Sequence, residues 1–250
     1  MENNASQPSG AQPHVFIPAR FNGPPTSGNG GYSCGVLAAF IDGAAKVRLH
    51  APPPLDTPLR VADAGDGVRQ MYDGDALIGS AFPTDLELEI PPAPSVAQAK
   101  AAMERFPLYE GHVFGTCFVC GPDRPDHDGL CLFTGVVEER GDVLASNWEP
   151  ASDLLDDAGN VRPEILWSAL DCPGYFAIMG DTPIAAMLGE LSAELYDTVP
   201  GDQSLVVYAW PLGREGRKYH AGAAVATGDG RVVAASRSTW IELQAPPGAN

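Results

Sequence analysis

The chain has 250 residues with 15 Lys and Arg against 32 Asp and Glu, a formal net charge of −17. That acidity excludes a general phosphate-backbone binder, which needs a basic face, and no apolar run approaches the ~20 residues of a membrane helix. With 44% hydrophobic and 19% charged residues the chain can bury one large core or two smaller ones. Five cysteines, an odd number, and no charged-then-apolar leader read as a cytoplasmic protein with reduced thiols.

Residues 1–13 are polar and rich in turn formers, which predicts a disordered tail. His14 to Ile17 reads as a short strand, and a glycine- and proline-rich stretch from Phe21 to Gly31 leads into an apolar helix over Tyr32 to Ile41. From Ala45, alternating and β-branched stretches broken by Pro52-Pro53-Pro54, Gly65-Asp66-Gly67 and Asp73-Gly74 predict antiparallel strands and hairpins. Residues 92–107 read as a linker carrying a short helix over Val96 to Phe106, N-capped by Ser95. The linker divides the chain into units at 14–91 and 108–246.

In the second unit, strands are predicted near Val113 to Val119, Leu130 to Val137 and Asp142 to Trp148. An acidic loop and a helix over Ile165 to Asp171 follow, with Cys172-Pro173-Gly174 as a helix break. Further strands are expected near Leu191 to Tyr196, Ser204 to Trp210, Tyr219 to Thr227 and Arg231 to Leu243. The hairpin at Asp73-Gly74 matches the one at Asp229-Gly230 at an offset of 156, and the strands after them end in Glu87-Leu88 and Glu242-Leu243. Two such hairpins, each downstream of a glycine- or proline-opened helix, argue for internal duplication.

The two helix openings differ in chemistry. Asn29-Gly30-Gly31 offers free backbone N–H groups, which together with the helix dipole can hold a developing negative charge. Arg162-Pro163-Glu164 is poorer in donors because proline has no N–H. Nine residues after Asn29 stands Ala38, whereas nine after Arg162 stands Asp171.

A duplicated helix-and-strands unit with these openings resembles the hot-dog fold thioesterases, most closely the phenylacetyl-CoA thioesterase-like branch, whose helix opens His-Gly-Gly with an Asp nine positions after the His. The resemblance spans residues 14–246 and implies an α+β protein: a tandem (double) hot-dog, antiparallel sheets each wrapped around a central helix. It implies acyl-CoA hydrolysis with one composite site, where the Gly31 amide polarises the thioester carbonyl, Asp171 is nucleophile or general base, and Asn29 orients in place of the histidine. The pseudo-equivalent site, pairing Ala38 with Pro163, should be dead. Gly30 and Tyr32 are expected at the substrate, and Arg217 and Lys218, in the only local basic cluster, are candidates for the phosphates of coenzyme A. No cofactor is expected beyond the coenzyme A of the substrate, and a homodimer of such fused pairs is the expected assembly.

Rival readings are a noncatalytic acyl-ligand binding protein and a hot-dog dehydratase, the latter lacking its His and Asp pair. A serine hydrolase lacks a Gly-x-Ser-x-Gly elbow, and His50, His112 and His127 lack triad-like company. Cys117 and Cys120 form a C-x-x-C, but Cys34, Cys131 and Cys172 make no second pair, so buried strand cysteines are expected and no metal.

Overall fold

The structure, a computed structural model, describes residues 12–124, 128–179 and 184–244. The expected tail thus lies outside the described residues, except for Gln12 and Pro13. The elements run β1 (His14–Val15), α1 (Gly30–Ala38), β2 (Ala45–Leu49), β3 (Leu59–Asp63), β4 (Arg69–Asp73), β5 (Ala76–Pro83), α2 (Val96–Met103), β6 (Gly135–Val137) and β7 (Arg140–Trp148). They continue with α3 (Pro163–Ala169), α4 (Cys172–Met179), β8 (Ala186–Leu195), β9 (Leu205–Glu215), β10 (Lys218–Thr227) and β11 (Val232–Glu242). All eleven strands join one antiparallel sheet in the order β1-β3-β4-β5-β2-β8-β11-β10-β9-β7-β6.

The order contains the same path twice. Following α1, the strands lie β2-β5-β4-β3 with β1 outside β3; following α3 and α4, they lie β8-β11-β10-β9 with β7 outside β9. The Asp73-Gly74 and Asp229-Gly230 turns join corresponding pairs, β4 to β5 and β10 to β11, with Gly74 and Gly230 at φ of 55° and 89°. At the seam β2 pairs with β8 from Ala45↔Ala193 to Arg48↔Glu190, and an Arg48 to Glu190 ion pair of 2.7 Å closes it. The expected pair of wrapped sheets is therefore one continuous sheet.

The first part of β9 and most of β10 bury both faces. In β9, Val207 and Ala209 join the main core with the helices, while Val206 and Tyr208 face Ala99 and Ala102 of α2. Alternation with period two explains the split, and apolar residues at successive positions are what a strand covered on both sides requires. Ser95 caps α2 in a full capping box with Gln98, as its sequence suggests.

Four local expectations are corrected. Residues 113–120 are turns rather than a strand: Cys117, Phe118, Val119 and Cys120 are buried in succession, and Gly121 N–H closes a turn onto Cys117 O at 2.9 Å. Of the strand expected over Leu130 to Val137 only β6 forms, and the first-half strand β5 ends at Pro83, before Glu87-Leu88. The helix break falls at Leu170-Asp171, not at Cys172-Pro173-Gly174, because Pro173 sits in the first turn of α4, where its missing N–H leaves no bond unmade.

The contact that positions the site is between α1 and α3. They run antiparallel at backbone distance, with Gly31 against Trp167 to Asp171 and Gly35 against Glu164 and Trp167. A Cβ on Gly35 would lie 2.7 Å from both Glu164 Cα and Trp167 Cβ, so only glycine lets α3 approach. We expect Gly35→Ala to destabilise the fold by about 1–3 kcal/mol in denaturant titration, the usual cost of forced overpacking. Gly141→Ala, where an added Cβ meets nothing within 4 Å, should stay within ~0.5 kcal/mol of the parent.

Candidate active site

The close packing of α1 on α3 brings the end of α3 to the start of α1, and Asp171 is the residue delivered there. It occupies the turn between α3 and α4, its amide donating to Ser168 O and its carbonyl accepting from Gly174 N–H. Its side chain reaches the other half: Oδ2 accepts from Gly31 N–H at 2.8 Å and from Asn29 Nδ2 at 2.9 Å. The carboxylate thus sits at the positive end of the α1 dipole.

Asn29 does two jobs as N-cap. Its Oδ1 accepts from Tyr32 N–H at 2.9 Å and its Nδ2 donates to Asp171. Ser33 N–H is taken by Asn29 O. Of the first-turn donors, Gly30 N–H alone has no hydrogen-bond partner among the described residues. The Gly31 amide, expected to face a substrate carbonyl, is instead engaged by the carboxylate.

Asp171 is only 2% exposed, and its Oδ1 has no hydrogen-bond partner among the described residues. Burial pushes its carboxyl from the usual 3.8 up to about 7, although the hydrogen bonds from Gly31 and Asn29 pull the other way. Desolvation, with the Cys117 sulfur adding to it, therefore outweighs the two donors. The group is poised to lose and regain a proton near neutrality.

Asn29, Gly30 and Asp171 line a cavity of about 610 Å³. Its walls are mostly apolar, with Leu49 from β2, Phe176 from α4, Leu188 from β8 and Trp240 and Ile241 from β11, so both halves enclose it. Tyr32 is not in this wall; its ring is stacked on Phe21 at 4.0 Å, and burial raises its hydroxyl to about 12. Arg217 and Lys218 do not line the cavity either. They lie at the β9–β10 turn, with Arg217 Nη1 donating to Glu242 O and Lys218 opposite Ile241 in the ladder, one strand from the wall.

Two histidines join the lining unannounced by the sequence. His50 Nε2 meets Ser80 Oγ at 3.0 Å. His112 Nδ1 accepts from Phe114 N–H at 3.0 Å, burial lowers its pKa, and its Nε2 is buried without a partner among the described residues. Neither has a second titratable group close to it along the chain that marks it as a site residue. Cys117, Cys120 and Cys172 also meet in the wall, their sulfurs within 4.8 Å of one another, although 52 residues separate the last two.

At the corresponding opening of α3, Arg162 makes no side-chain cap and Pro163 supplies no N–H, while Ala38 ends α1 with a methyl group. The amide that Gly30 offers and the acid that Asp171 offers thus have no counterpart there.

Searches with the sequence match no family model and no curated protein. Solved structures do match along nearly the whole chain. A protein of unknown function with a hot dog fold from Alicyclobacillus acidocaldarius superposes with a TM-score of 0.61 at 13% identity, covering 96% of each chain. This chain has the hot-dog fold. A tesB protein of Mycobacterium avium subsp. paratuberculosis matches with a TM-score of 0.55 at 13% identity over 94% of this chain and 92% of its own. A candidate thioesterase from Novosphingobium aromaticivorans matches with 0.56 at 12% identity over 95% and 98%. No helix among the described residues is long and apolar enough to cross a membrane.

The raised Asp171 pKa has a signed consequence. The folded state keeps the proton up to about pH 7, whereas an unfolded carboxyl releases it near 3.8. Stability tied to this group is therefore full at low pH and is lost as pH rises through about 7. Asp171→Asn keeps an acceptor for Gly31 and removes the charge. Its stability relative to the parent should rise by on the order of 1–3 kcal/mol between pH 5 and pH 8 in guanidinium titrations. A pH-independent difference would place Asp171 in the ordinary carboxylate range.

Proposed function

We propose that this protein is a double hot-dog acyl-CoA hydrolase with one composite site at the seam. The observation that carries the reading is Asp171: a buried carboxylate with a neutral-range pKa and an unpartnered oxygen, beside an unpartnered amide at a helix N-terminus, in a mostly apolar cavity. Each feature answers a requirement of thioester hydrolysis.

In the proposed reaction the acyl chain occupies the apolar cavity, with its carbonyl oxygen at Gly30 N–H. Asp171 Oδ1 takes a proton from water, and the resulting hydroxide attacks the carbonyl carbon. Charge gathers on the oxygen, where the Gly30 amide and the α1 dipole stabilise it. The C–S bond then breaks, the proton on Asp171 passes to the departing thiolate, and a carboxylic acid and free coenzyme A result. We favour the general-base role over the nucleophilic one because a pKa near the working pH suits a group that must both accept and return a proton. Asn29 holds the carboxylate in position, and the hairpin cations Arg217 and Lys218 are the candidates for the coenzyme A phosphates beyond the cavity mouth.

A panel of acyl-CoA esters with thiol release as readout tests the proposal. At least one ester should be hydrolysed, with kcat/KM rising through about pH 7 to a plateau, following the ionisation of Asp171. Asp171→Ala should lower kcat by a factor of ~10² or more, the scale of a lost general base, while KM changes little. Binding of esters without thiol release from any of them would replace hydrolysis by a noncatalytic acyl-ligand role.

A further inference from the structure

The sequence places one C-x-x-C in the chain and no partner for it, but the fold supplies the partner. Cys172 opens α4 directly after Asp171, and its Sγ lies 3.7 Å from Cys117 Sγ. All three sulfurs of Cys117, Cys120 and Cys172 are buried, lie within 4.8 Å of one another, and border the cavity. Three thiolates at ~2.3 Å from a tetrahedral metal ion stand ~3.8 Å apart. The cluster already has nearly that spacing.

The loop around Cys117 is shaped for anionic sulfur. The backbone N–H groups of Val119 and Cys120 donate to Cys117 Sγ, and Gly121 N–H closes the turn onto Cys117 O. Gly121 has to be glycine, since a Cβ there would stand 2.4 Å from Gly115 O and 2.5 Å from Cys117 N. Amide donors to sulfur are the outer-shell support that metal-bound thiolates use. Asn29 Nδ2 adds a third donor, 3.8 Å from Cys172 Sγ and 4.0 Å from Cys117 Sγ.

The loop is also held in place independently of the sulfurs. The Arg124 guanidinium, 8% exposed, donates to Thr116 O at 2.7 Å, Asn22 Oδ1 at 2.9 Å and Arg20 O at 3.0 Å, tying the segment to the first half. Phe118 N–H bonds Asn22 O at 2.8 Å. A knuckle positioned this way meets Cys172 with little reorganisation.

We propose that Cys117, Cys120 and Cys172 form a zinc site whose fourth coordination position opens on the cavity. Zinc fits the donor set because it is borderline soft, takes thiolates at tetrahedral geometry and needs no redox partner. No His, Asp or Glu joins the three sulfurs at ligand spacing among the described residues, so the fourth ligand is water or a cavity ligand. Three protein ligands and one open position is the pattern of zinc sites that handle small molecules. On binding, each thiol releases its proton to solvent and the metal takes the sulfur lone pair. The proposal does not depend on thioester hydrolysis.

The test uses the full chain, purified under reducing conditions. Elemental analysis should find about one zinc per chain, and Co²⁺ added to chelator-stripped protein should give a near-ultraviolet thiolate charge-transfer band with the strong visible bands of tetrahedral cobalt. Cys117→Ser and Cys172→Ser should each weaken binding at least tenfold, whereas Cys34→Ser, in the core away from the cluster, should retain it. Should the serine variants not fold, the cobalt spectrum of the parent decides alone. Reduced protein that holds no zinc and gives no charge-transfer band at millimolar Co²⁺ would overturn the proposal. So would full binding by folded Cys172→Ser, or uptake of Cu(I) with Zn²⁺ and Co²⁺ left in solution.

Discussion

The site depends on a carboxylate from one half being held at the helix N-terminus of the other. Two hydrogen bonds to an ionised group contribute about 1.5–3 kcal/mol each and a favourable helix terminus up to ~2 kcal/mol, while full burial of a carboxylate costs several kcal/mol. The two sides are comparable, and burial as the larger one carries the carboxyl up to about 7. The close approach of α1 and α3 makes the contact, and Gly31 and Gly35 make that approach. Backbone sterics, rather than electrostatic attraction, bring the acid to its place.

The second helix opening does not reproduce this place. The strand order repeats on either side of the β2–β8 seam, so each helix opening has a counterpart. At α1 the opening has a cap and amide donors and receives an acid; at α3 it has a proline and no cap, and α1 ends in Ala38. A symmetric pair of sites would bury two carboxylates. Among the described residues this chain buries one, Asp171, and the second opening is free to pack apolar residues.

Much of this was legible in the sequence because it rests on short-range chemistry. Asn29-Gly30-Gly31 announces an N-cap by residue type, the Asp-Gly pairs announce hairpins by their need for positive φ, and the nine-residue spacings place Ala38 and Asp171 at comparable points of comparable helices. What failed depends on tertiary contact. The segment 113–120 carries strand-forming residues, but anchors to Asn22 and Arg124 fold it into turns. Pro173 reads as a terminator until α4 is seen to begin one residue before it. The Gly31 amide was expected to face a substrate, and nothing along the chain shows that Asp171 reaches it first. The meeting of Cys172 with Cys117 and Cys120, and of His50 and His112 in one wall, is set by pairing of distant elements and leaves no local signature.

The central claim is that Asp171 stays protonated in the folded protein until near neutrality while held by Gly31 and Asn29. The most direct measurement is a ¹³C NMR titration of protein labelled at the aspartate carboxyl carbon, with the Asp171 resonance assigned by its loss in Asp171→Asn. The account predicts a midpoint near pH 7; a resonance already fully ionised at pH 5 would contradict it.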